Sequence, residues 1–387
     1  MSYTLIKNAK VISERKILKR DILIKGSVIA DADFSGEPPP DCIEIDAMKN
    51  YLSPGFVDIH VHGGGGFDFM DCTQEAFCSI SKTHLKAGTT TLIPTAVSAE
   101  FEDILQMISA YKAYSPCCPN FYGIHLEGPF ISKKQKGAHK AELLHSPTDW
   151  EIQSLLSQGN GVIKRITAAP ELEGVSYLAK KMTENGVVMS LGHSDATAQT
   201  ALASFKKGFT HITHLYCATP SIRKINQVIT GGILEAAYLE DNVTAELIAD
   251  GKHVAPEALQ LALKIKGIEK IALTTDALRP AGTTVTESWL GEKIPENRII
   301  IEDGVAKLPD RSSFAGSIAT CSMLLEKGVY HYALPLADVI FMLTQTPAEI
   351  MHIPNKGKIQ KGYDADFVFL DANLKTQMVM CMGKLIN

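Results

Sequence analysis

The stretch PGFVDIHVHGGGG, residues 54–66, ends an apolar run with two histidines one residue apart and then four glycines. Flanking proline and glycine residues and a β-branched interior are typical of a β-strand that enters a turn. Side chains alternate along a strand, so His60 and His62 are expected on the same face. Imidazole nitrogen is a good ligand for divalent metals, and the pair could therefore hold one ion. The alternative is a pair of hydrogen-bonded histidines at a polar strand end.

The same kind of run recurs along the chain. Between residue 56 and about residue 350, short apolar runs alternate with amphipathic segments, several of which end in glycine. The β-like runs span residues 56–63, 90–95, 121–128, 163–170, 187–195, 209–216, 243–251 and 270–278. Alternating strands and helices imply a parallel sheet, and this length suits a (β/α)₈ TIM-type barrel. A doubly wound open sheet is the structural alternative.

The two ends of the chain have a different pattern. Residues 1–53 and 354–387 alternate like hairpin strands, and neither segment has a partner of its own kind nearby in the sequence. The simplest arrangement joins both ends into one small β-sandwich domain beside a barrel of residues 54–353. Two unrelated terminal hairpins packed on the barrel are the alternative.

Bulk composition narrows the class of protein. The 387 residues are 45% hydrophobic and 21% charged, with a net charge of −5, as in a soluble globular protein. No basic, aromatic-rich stripe favours nucleic acid, and no long apolar run favours a signal peptide or a membrane span. The eight cysteines are scattered without a Cys-x-x-Cys pair. We expect reduced thiols and a cytoplasmic protein without nucleic-acid or membrane partners.

Polar residues cluster where the predicted strands end, which is where reactive groups lie in barrels of this type. These residues are His60, His62, Glu127, His193, His211 or His214, His253 and Asp276. Each alone could be structural, but together they would repel one another and resist desolvation unless a cation compensates. Nitrogen and carboxylate ligands suit Zn, Fe, Mn or Co. The number of ligands fits two ions, with Glu127 as the natural bridge.

Several motifs carry a family resemblance. The segments PGFVDIHVHG, GIHLEGPFISKKQKGAH, LGHSDAT, THLY, ADGKHV, TDALRPAG, FAGS and GYDADFVFLD resemble the amidohydrolase superfamily and, within it, the N-acetylglucosamine-6-phosphate deacetylase family. The resemblance covers nearly the whole chain. It implies that Glu127, His193 and His214 bind metal and that His60 and His62 hold a second ion. Asp276 would accept a proton from water and pass it to the departing amine.

The same resemblance implies that the chain deacetylates an amino-sugar phosphate, first of all N-acetylglucosamine 6-phosphate, to glucosamine 6-phosphate and acetate. His253 would orient this substrate or polarise its carbonyl, His139 would reach the sugar, and the backbone of residues 314–316 would hold the acyl side. The substrate-binding candidates are Ala138, His139, Cys217, Ala218, Arg223, Lys224, His253, Phe314, Ala315 and Gly316. Family members borrow phosphate contacts from a neighbouring subunit, so a homodimer is also expected.

One segment departs from the family pattern. In HLYCATPSIRKINQV, residues 214–228, Cys217 replaces an asparagine, Thr219 a methionine, and the phosphate-binding arginine falls at Ile225. Arg223 and Lys224 could compensate or be ordinary surface charges. N-acetylgalactosamine 6-phosphate and an unphosphorylated sugar therefore remain alternative substrates. A metal-free scaffold is a further alternative, although such a protein should have lost ligands that this chain retains.

Overall fold

A computed structural model describes residues 2–386 of the chain. Its first segment is built from strands rich in β-branched residues, and neighbouring residues such as Val11 and Ile12 in β1 and residues 22–24 in β2 are buried. The strands of this segment are β1 Tyr3–Ser13, β2 Lys16–Lys25, β3 Val28–Asp31, β4 Ile43–Asp46 and β5 Tyr51–Pro54.

The central segment alternates strands with helices. Its strands are β6 Phe56–Val61, β7 Gly63–Gly64, β8 Phe67–Asp68, β9 Thr89–Ala96, β10 Ile124–Glu127, β11 Ile163–Ala168, β12 Val188–Leu191, β13 Phe209–Ile212, β14 Arg223–Ile225, β15 Val228–Thr230, β16 Thr244–Ile248 and β17 Ile271–Thr274. The remaining strands are β18 Glu287–Trp289, β19 Arg298–Glu302, β20 Val305–Lys307, β21 Phe314–Gly316, β22 Phe367–Leu370, β23 Thr376–Cys381 and β24 Lys384–Ile386.

The helices follow the strands with the expected amphipathic spacing. They are α1 Gln74–Lys86, α2 Phe101–Tyr114, α3 Asp149–Gln158, α4 Val175–Glu184, α5 Ala198–Phe205, α6 Ile233–Leu239, α7 Pro256–Lys266, α8 Cys321–Tyr330, α9 Leu336–Leu343 and α10 Gln345–Ile350. In α4, Val175, Leu178, Ala179 and Met182 recur on one face and are buried. Burying such an apolar side chain stabilises the fold by about 1.5–3 kcal/mol. Within residues 2–386, no helix combines the length and apolar character needed to cross a bilayer.

Within the described chain, eight parallel strands form the central sheet in the order β6, β9, β10, β11, β12, β13, β16 and β17. The sheet closes on itself where Val61 pairs with Ala277, next to a hydrogen bond of 2.8 Å from the His62 N–H to the Ala277 carbonyl. Each predicted β-like run overlaps one of these strands. The predicted (β/α)₈ barrel is therefore confirmed, and the open doubly wound sheet is excluded.

Both ends of the chain meet in one further sheet. Its order is β24, β23, β22, β5, β1, β2, β3, and β4 pairs with β1. The junction is the antiparallel pairing of β22 with β5, in which Val368 lies opposite Ser53. Ile6, Ile22 and Phe367 are among the residues of its own apolar core. The termini thus form one β-rich unit rather than two separate hairpins. We propose residues 1–53 and 354–387 as this small domain and residues 54–353 as the barrel.

Two insertions lie after the strands that carry the site. The hairpin β14–β15 follows β13, and the antiparallel sheet β18–β21, here called the flap, follows β17. The flap packs on the barrel through a small apolar cluster that includes Leu278, Ile299 and Ala306. The sequence pattern predicted neither insertion as a sheet.

Candidate active site

The predicted metal ligands all lie at the carboxyl ends of barrel strands. His60 is in β6, Glu127 is the last residue of β10, and the other ligands follow their strands within two residues. His193, His214 and Asp276 have left-handed φ angles of 45°, 28° and 49°. Such angles are costly for residues other than glycine, and they often mark functional sites. Here they turn the chain sharply as each strand ends.

Glu127 stands at the centre of the site and is buried. Its Oε2 atom lies 3.4 Å from His60 Nε2 and 3.1 Å from His62 Nε2. Its Oε1 atom lies 2.9 Å from His214 Nε2 and 3.3 Å from His193 Nε2. One carboxylate therefore faces two histidine pairs, one with each oxygen, as the predicted bridging role requires.

Asp276 completes the group on the His60 and His62 side. Its Oδ1 atom lies 3.5 Å from His60 Nε2 and 3.3 Å from His62 Nε2. The structure thus brings together all the residues predicted as metal ligands. The sequence left His211 and His214 as alternatives for the sixth barrel strand, which is β13 in the structure. His214 reaches the site, whereas His211 lies inside the barrel with its Nδ1 2.7 Å from Thr244 Oγ1.

Backbone contacts determine which ring nitrogen carries the proton. His193 Nδ1 lies 2.7 Å from the Gln135 carbonyl, and His214 Nδ1 lies 3.0 Å from the Cys217 carbonyl. A carbonyl oxygen only accepts, so each Nδ1 donates and each Nε2 keeps its lone pair. The two Nε2 atoms are 3.0 Å apart and face the Glu127 carboxylate. This concentration of acceptors needs a cation among them, and the residues therefore fit a divalent metal ion.

The charges of the site agree with that interpretation. Burial alone would lower the pKa of His60 and His62, but nearby Glu127 and Asp276 raise the pKa of His60 well above its usual value and that of His62 to about 9. Burial would raise the pKa of Glu127, yet the charge of His60 and hydrogen bonds from neighbouring histidines hold it well below its usual range. The site therefore attracts positive charge, whether as protons or as metal.

His139, predicted as a sugar contact, lies beside the ligands. Its Nε2 is 3.6 Å from Glu127 Oε2, and its Nδ1 is 2.8 Å from Ser98 Oγ. Its ring stacks edge-on against His193 at 4.7 Å between centroids. Burial lowers the pKa of His139 to about 4, so this imidazole is neutral near pH 7. Ser98 is a site residue that sequence reasoning missed, since no motif marks it.

His253 is held by a carboxylate that the sequence analysis did not single out. Asp250 Oδ2 lies 2.8 Å from His253 Nδ1, while Oδ1 accepts from the backbone N–H groups of Lys252 and His253. The Nδ1 atom therefore carries the proton, and Nε2 keeps its lone pair. The spacing Asp-x-x-His in ADGKHV was the available signal for this contact.

A cavity of about 220 Å³ opens at the ligand cluster. It is bordered by most of the predicted substrate contacts: Ala138, His139, Cys217, Ala218, His253, Phe314, Ala315 and Gly316. Burial raises the pKa of Cys217 to about 12, with smaller contributions from Asp276 and Asp250. The thiol is therefore protonated near pH 7, and it lines the cavity rather than acting as a nucleophile.

Arg223 and Lys224 lie apart from this cavity. The Arg223 guanidinium binds the Asp195 carboxylate and donates to the Asp195 carbonyl at 2.6 Å. Lys224 is exposed on β14, and Ile225 pairs with Val228 across the hairpin. Neither Arg223 nor Lys224 borders the cavity that opens at the ligand cluster. Their role in substrate binding stays a prediction.

Residues 51–386 match the model of the amidohydrolase family, and the chain belongs to that family. The predicted superfamily is therefore confirmed, and with it the class of enzyme, a hydrolase that acts on amide carbon–nitrogen bonds. Members of this superfamily depend on metal, which agrees with the histidine and glutamate clusters in the site.

Comparison with individual proteins gives narrower resemblances than the match to the family model. The chain is 30% identical over 351 residues to N-acetylglucosamine-6-phosphate deacetylase of Lysinibacillus sphaericus, covering 88% of this chain and 87% of the relative. It is 31% identical over 338 residues to N-acetylgalactosamine-6-phosphate deacetylase of Shewanella sp. (strain ANA-3), covering 87% and 83%. A mutant N-acetyl-D-glucosamine-6-phosphate deacetylase from Mycobacterium smegmatis, solved with N-acetyl-D-glucosamine-6-phosphate, superimposes with a TM-score of 0.90 at 30% identity, over 100% of both chains.

Proposed function

We propose that this chain removes the acetyl group from N-acetylglucosamine 6-phosphate, which yields glucosamine 6-phosphate and acetate. The observation that carries the proposal is the ring of acceptor atoms around Glu127, with Asp276 beside it at the base of a cavity. The names of the relatives support the class of substrate. We further propose that the enzyme acts in the cytoplasm.

We propose that two divalent ions, Zn, Fe, Mn or Co, share Glu127. His193 and His214 would hold one ion, and His60, His62 and Asp276 the other. When bound, such ions lower the pKa of water towards neutrality and polarise a carbonyl, which supplies a nucleophile at pH 7.

Asp276 acts as the general base and then as the general acid. Burial would raise its pKa, but the charge of His60 and a hydrogen bond from His62 lower it, so the carboxylate is ionised near pH 7. Asp276 accepts a proton from the attacking water as the new carbon–oxygen bond forms. It returns that proton to the amine nitrogen as the amide carbon–nitrogen bond breaks. His253 orients the substrate, since Asp250 fixes its tautomer and the imidazole borders the cavity.

The phosphate group of the proposed substrate needs a cationic partner that the cavity wall does not supply. Among the residues that border the cavity in the described chain there is no Lys or Arg. We propose that a second copy supplies cationic contacts, consistent with the homodimer expected from the family resemblance. The hairpin β14–β15 suits such an interface because Val228 and Ile229 are 63% and 70% exposed beside Arg223 and Lys224.

N-acetylgalactosamine 6-phosphate is the second candidate substrate. The Shewanella relative, named for that activity, is as similar to this chain as the Lysinibacillus relative named N-acetylglucosamine-6-phosphate deacetylase. Ile225 stands where the family resemblance places a phosphate-binding arginine, so an unphosphorylated sugar is also a candidate substrate. A metal-free scaffold fits less well, because all the predicted ligands are present and their side-chain atoms lie within 3.5 Å of Glu127 or of the His60–His62 pair.

A panel assay of acetate release tests these proposals. N-acetylglucosamine and N-acetylgalactosamine are compared with and without a 6-phosphate, using wild type, Arg223→Ala, Lys224→Ala and the distant control Lys358→Ala. We expect the highest kcat/KM with N-acetylglucosamine 6-phosphate and a raised KM for that substrate in Arg223→Ala and Lys224→Ala. Equal turnover with and without phosphate would overturn the sugar-phosphate assignment. A metal-loaded protein that releases acetate from none of the sugars would overturn the deacetylase assignment.

A further inference from the structure

A salt bridge lies inside the barrel, in contact with the proposed metal centre. Arg165 on β11 and Glu246 on β16 are both fully buried. Arg165 Nη1 lies 2.6 Å from Glu246 Oε2, and Nη2 lies 2.8 Å from Oε1. This bidentate geometry fixes the plane of the carboxylate as well as its position.

The pair contacts two proposed ligands and the residues that precede them. Glu246 Oε1 accepts from His60 Nδ1 at 2.8 Å and from the His214 backbone N–H at 3.3 Å. Arg165 donates to the Ile59 carbonyl at 3.2 Å and to Thr213 Oγ1 at 2.8 Å. The two charged side chains therefore connect the end of β6 with the turn after β13.

Stability alone does not explain a buried pair of this kind. Removing two charges from water is costly, and replacing a buried pair with apolar residues of similar volume is often neutral or stabilising. The pair does have a chemical consequence at His60. A carboxylate only accepts, so Nδ1 of His60 donates to Glu246, and Nε2 faces Glu127 and Asp276 as the ring nitrogen that binds either a proton or a metal ion.

We propose that the Arg165–Glu246 pair is a positioning device that presents the Nε2 lone pair of His60 to a metal ion. The inference rests on the proposed function, because it assumes the metal centre described above. It gives β11, the fourth barrel strand, a part in that centre. Among the described residues, β11 contributes no ligand at its tip, and it acts from inside the barrel through Arg165.

The test separates positioning from stability. Arg165→Met/Glu246→Leu removes both charges together, so neither is left buried without a partner. Arg279→Met/Asp71→Leu is the matched control. That pair is also bidentate, at 2.5 and 2.8 Å, and it is not hydrogen-bonded to a proposed ligand. The readouts are the thermal unfolding of metal-free protein and the Zn²⁺ affinity measured by competition with a chromophoric chelator.

We expect the Arg165→Met/Glu246→Leu protein to fold and to bind the ion at the His60 side about 10- to 100-fold more weakly than wild type. The control should keep wild-type Zn²⁺ affinity. A folded double variant with unchanged affinity overturns the proposal. Wild-type protein that binds no divalent ion overturns the metal centre itself, and the proposed positioning role with it.

If the double variant does not fold, Arg165→Lys tests the same point. Lysine keeps the positive charge but cannot hold both carboxylate oxygens in a planar fork. We expect weaker Zn²⁺ binding at the His60 side and partial recovery of turnover with excess Zn²⁺. Unchanged affinity in Arg165→Lys overturns the proposal.

Discussion

At the scale of single residues, the hydrogen-bond partner of each imidazole determines its chemistry. His193 and His214 donate to carbonyl oxygens and keep their Nε2 lone pairs for the site. His211, only three residues before His214, instead has its Nδ1 2.7 Å from the Thr244 hydroxyl inside the barrel. Residues of the same type therefore divide into ligands and interior polar groups according to what faces them.

Asp276 is the residue for which a single substitution is most informative. Asp276→Asn keeps the size of the side chain but removes the basic oxygen that would accept a proton. We expect kcat to fall about 100- to 10,000-fold while folding is preserved. Steady-state kinetics together with circular dichroism measure this. Asp338→Asn, which alters a carboxylate bound to Arg15 away from the site, is the control. Near-normal kcat in Asp276→Asn would contradict the proposed mechanism.

His211 supports a prediction about pH. Burial, followed by the charge of Arg165, lowers the pKa of His211 to about 4 in the folded chain. Its pKa in the unfolded chain is about 6.5, so between these values the unfolded state binds more protons. Metal-free protein should therefore lose about 3 kcal/mol of folding free energy from this residue as pH falls from about 6.5 to about 4.

The variant His211→Asn isolates that contribution. An asparagine amide can still donate to Thr244, but it does not titrate in this range. Urea unfolding of wild type and variant at several pH values gives the difference in slope. A parallel fall in the stability of both proteins would show that His211 is not the group responsible.

At the scale of elements, the strand ends and the flap build the cavity together. The barrel strands deliver the ligands, while β21 supplies Phe314, Ala315 and Gly316 to the cavity wall. The flap packs on Leu278, two residues after Asp276. The position of the cavity wall formed by β21 is therefore coupled, through Leu278, to the strand end that carries Asp276.

Gly316 tests that coupling. Its φ angle is +128°, and a Cβ atom there would lie 3.0 Å from Leu278 Cγ. Gly316→Ala should cost about 1–3 kcal/mol of stability and raise KM, because the strained backbone and the close contact displace the wall. Gly304→Ala is the matched control, since Gly304 also has a positive φ but its Cβ would meet nothing within 4 Å. Equal KM values in the two variants would contradict the role assigned to β21.

At the scale of the whole molecule, the terminal sheet encloses a core that neither end can complete. β22 pairs with β5, and Phe367 and Phe369 pack into the core of that sheet. β5 is separated from barrel strand β6 by a single residue. Folding of the small domain therefore requires the last strands of the chain to return to the first.

Truncation tests the proposed domain organisation. Ending the chain after Asp366 removes β22, β23 and β24, which exposes the core faces of β1 and β5. We expect loss of the cooperative unfolding transition, because several buried apolar residues, each worth about 1.5–3 kcal/mol, leave the core. Deleting only residues 384–387, at the sheet edge, should have a much smaller effect. Calorimetry measures both, and a stably folded barrel without β22 would contradict the expectation.

Metal removal acts on the whole molecule as well. A chelator should abolish acetate release and lower the unfolding temperature, because the ion binds only the folded state. Free metal at about 100 times Kd corresponds to about 2.7 kcal/mol of stabilisation. Adding Zn²⁺ or Mn²⁺ back should restore both properties. Full activity after exhaustive chelation, with metal content confirmed by elemental analysis, would contradict the metal-dependent mechanism.

Much of the barrel and of the site could be predicted from the sequence. Each barrel strand is a compact apolar run, which the sequence pattern identifies. Histidines and acidic residues at the strand ends can also be recognised from the sequence without the tertiary structure. The flap was missed because its strands are short and its cores form only against the barrel. Asp250, Ser98 and the Arg165–Glu246 pair were missed because a hydrogen bond between distant strands leaves no periodic pattern.

The sequence by itself determined the alternation of strands and helices, the family, and the residue types available for metal binding and proton transfer. Only the tertiary structure decided which histidine of β13 and its following turn reaches the site, which ring nitrogen of each ligand is free, and that Arg223 binds Asp195 rather than bordering the cavity. The physical reason is that the spacing of apolar residues, which predicts strands and helices, depends only on residues close in sequence. Tautomers and ion pairs instead depend on atoms that barrel closure brings within about 3–4 Å of one another.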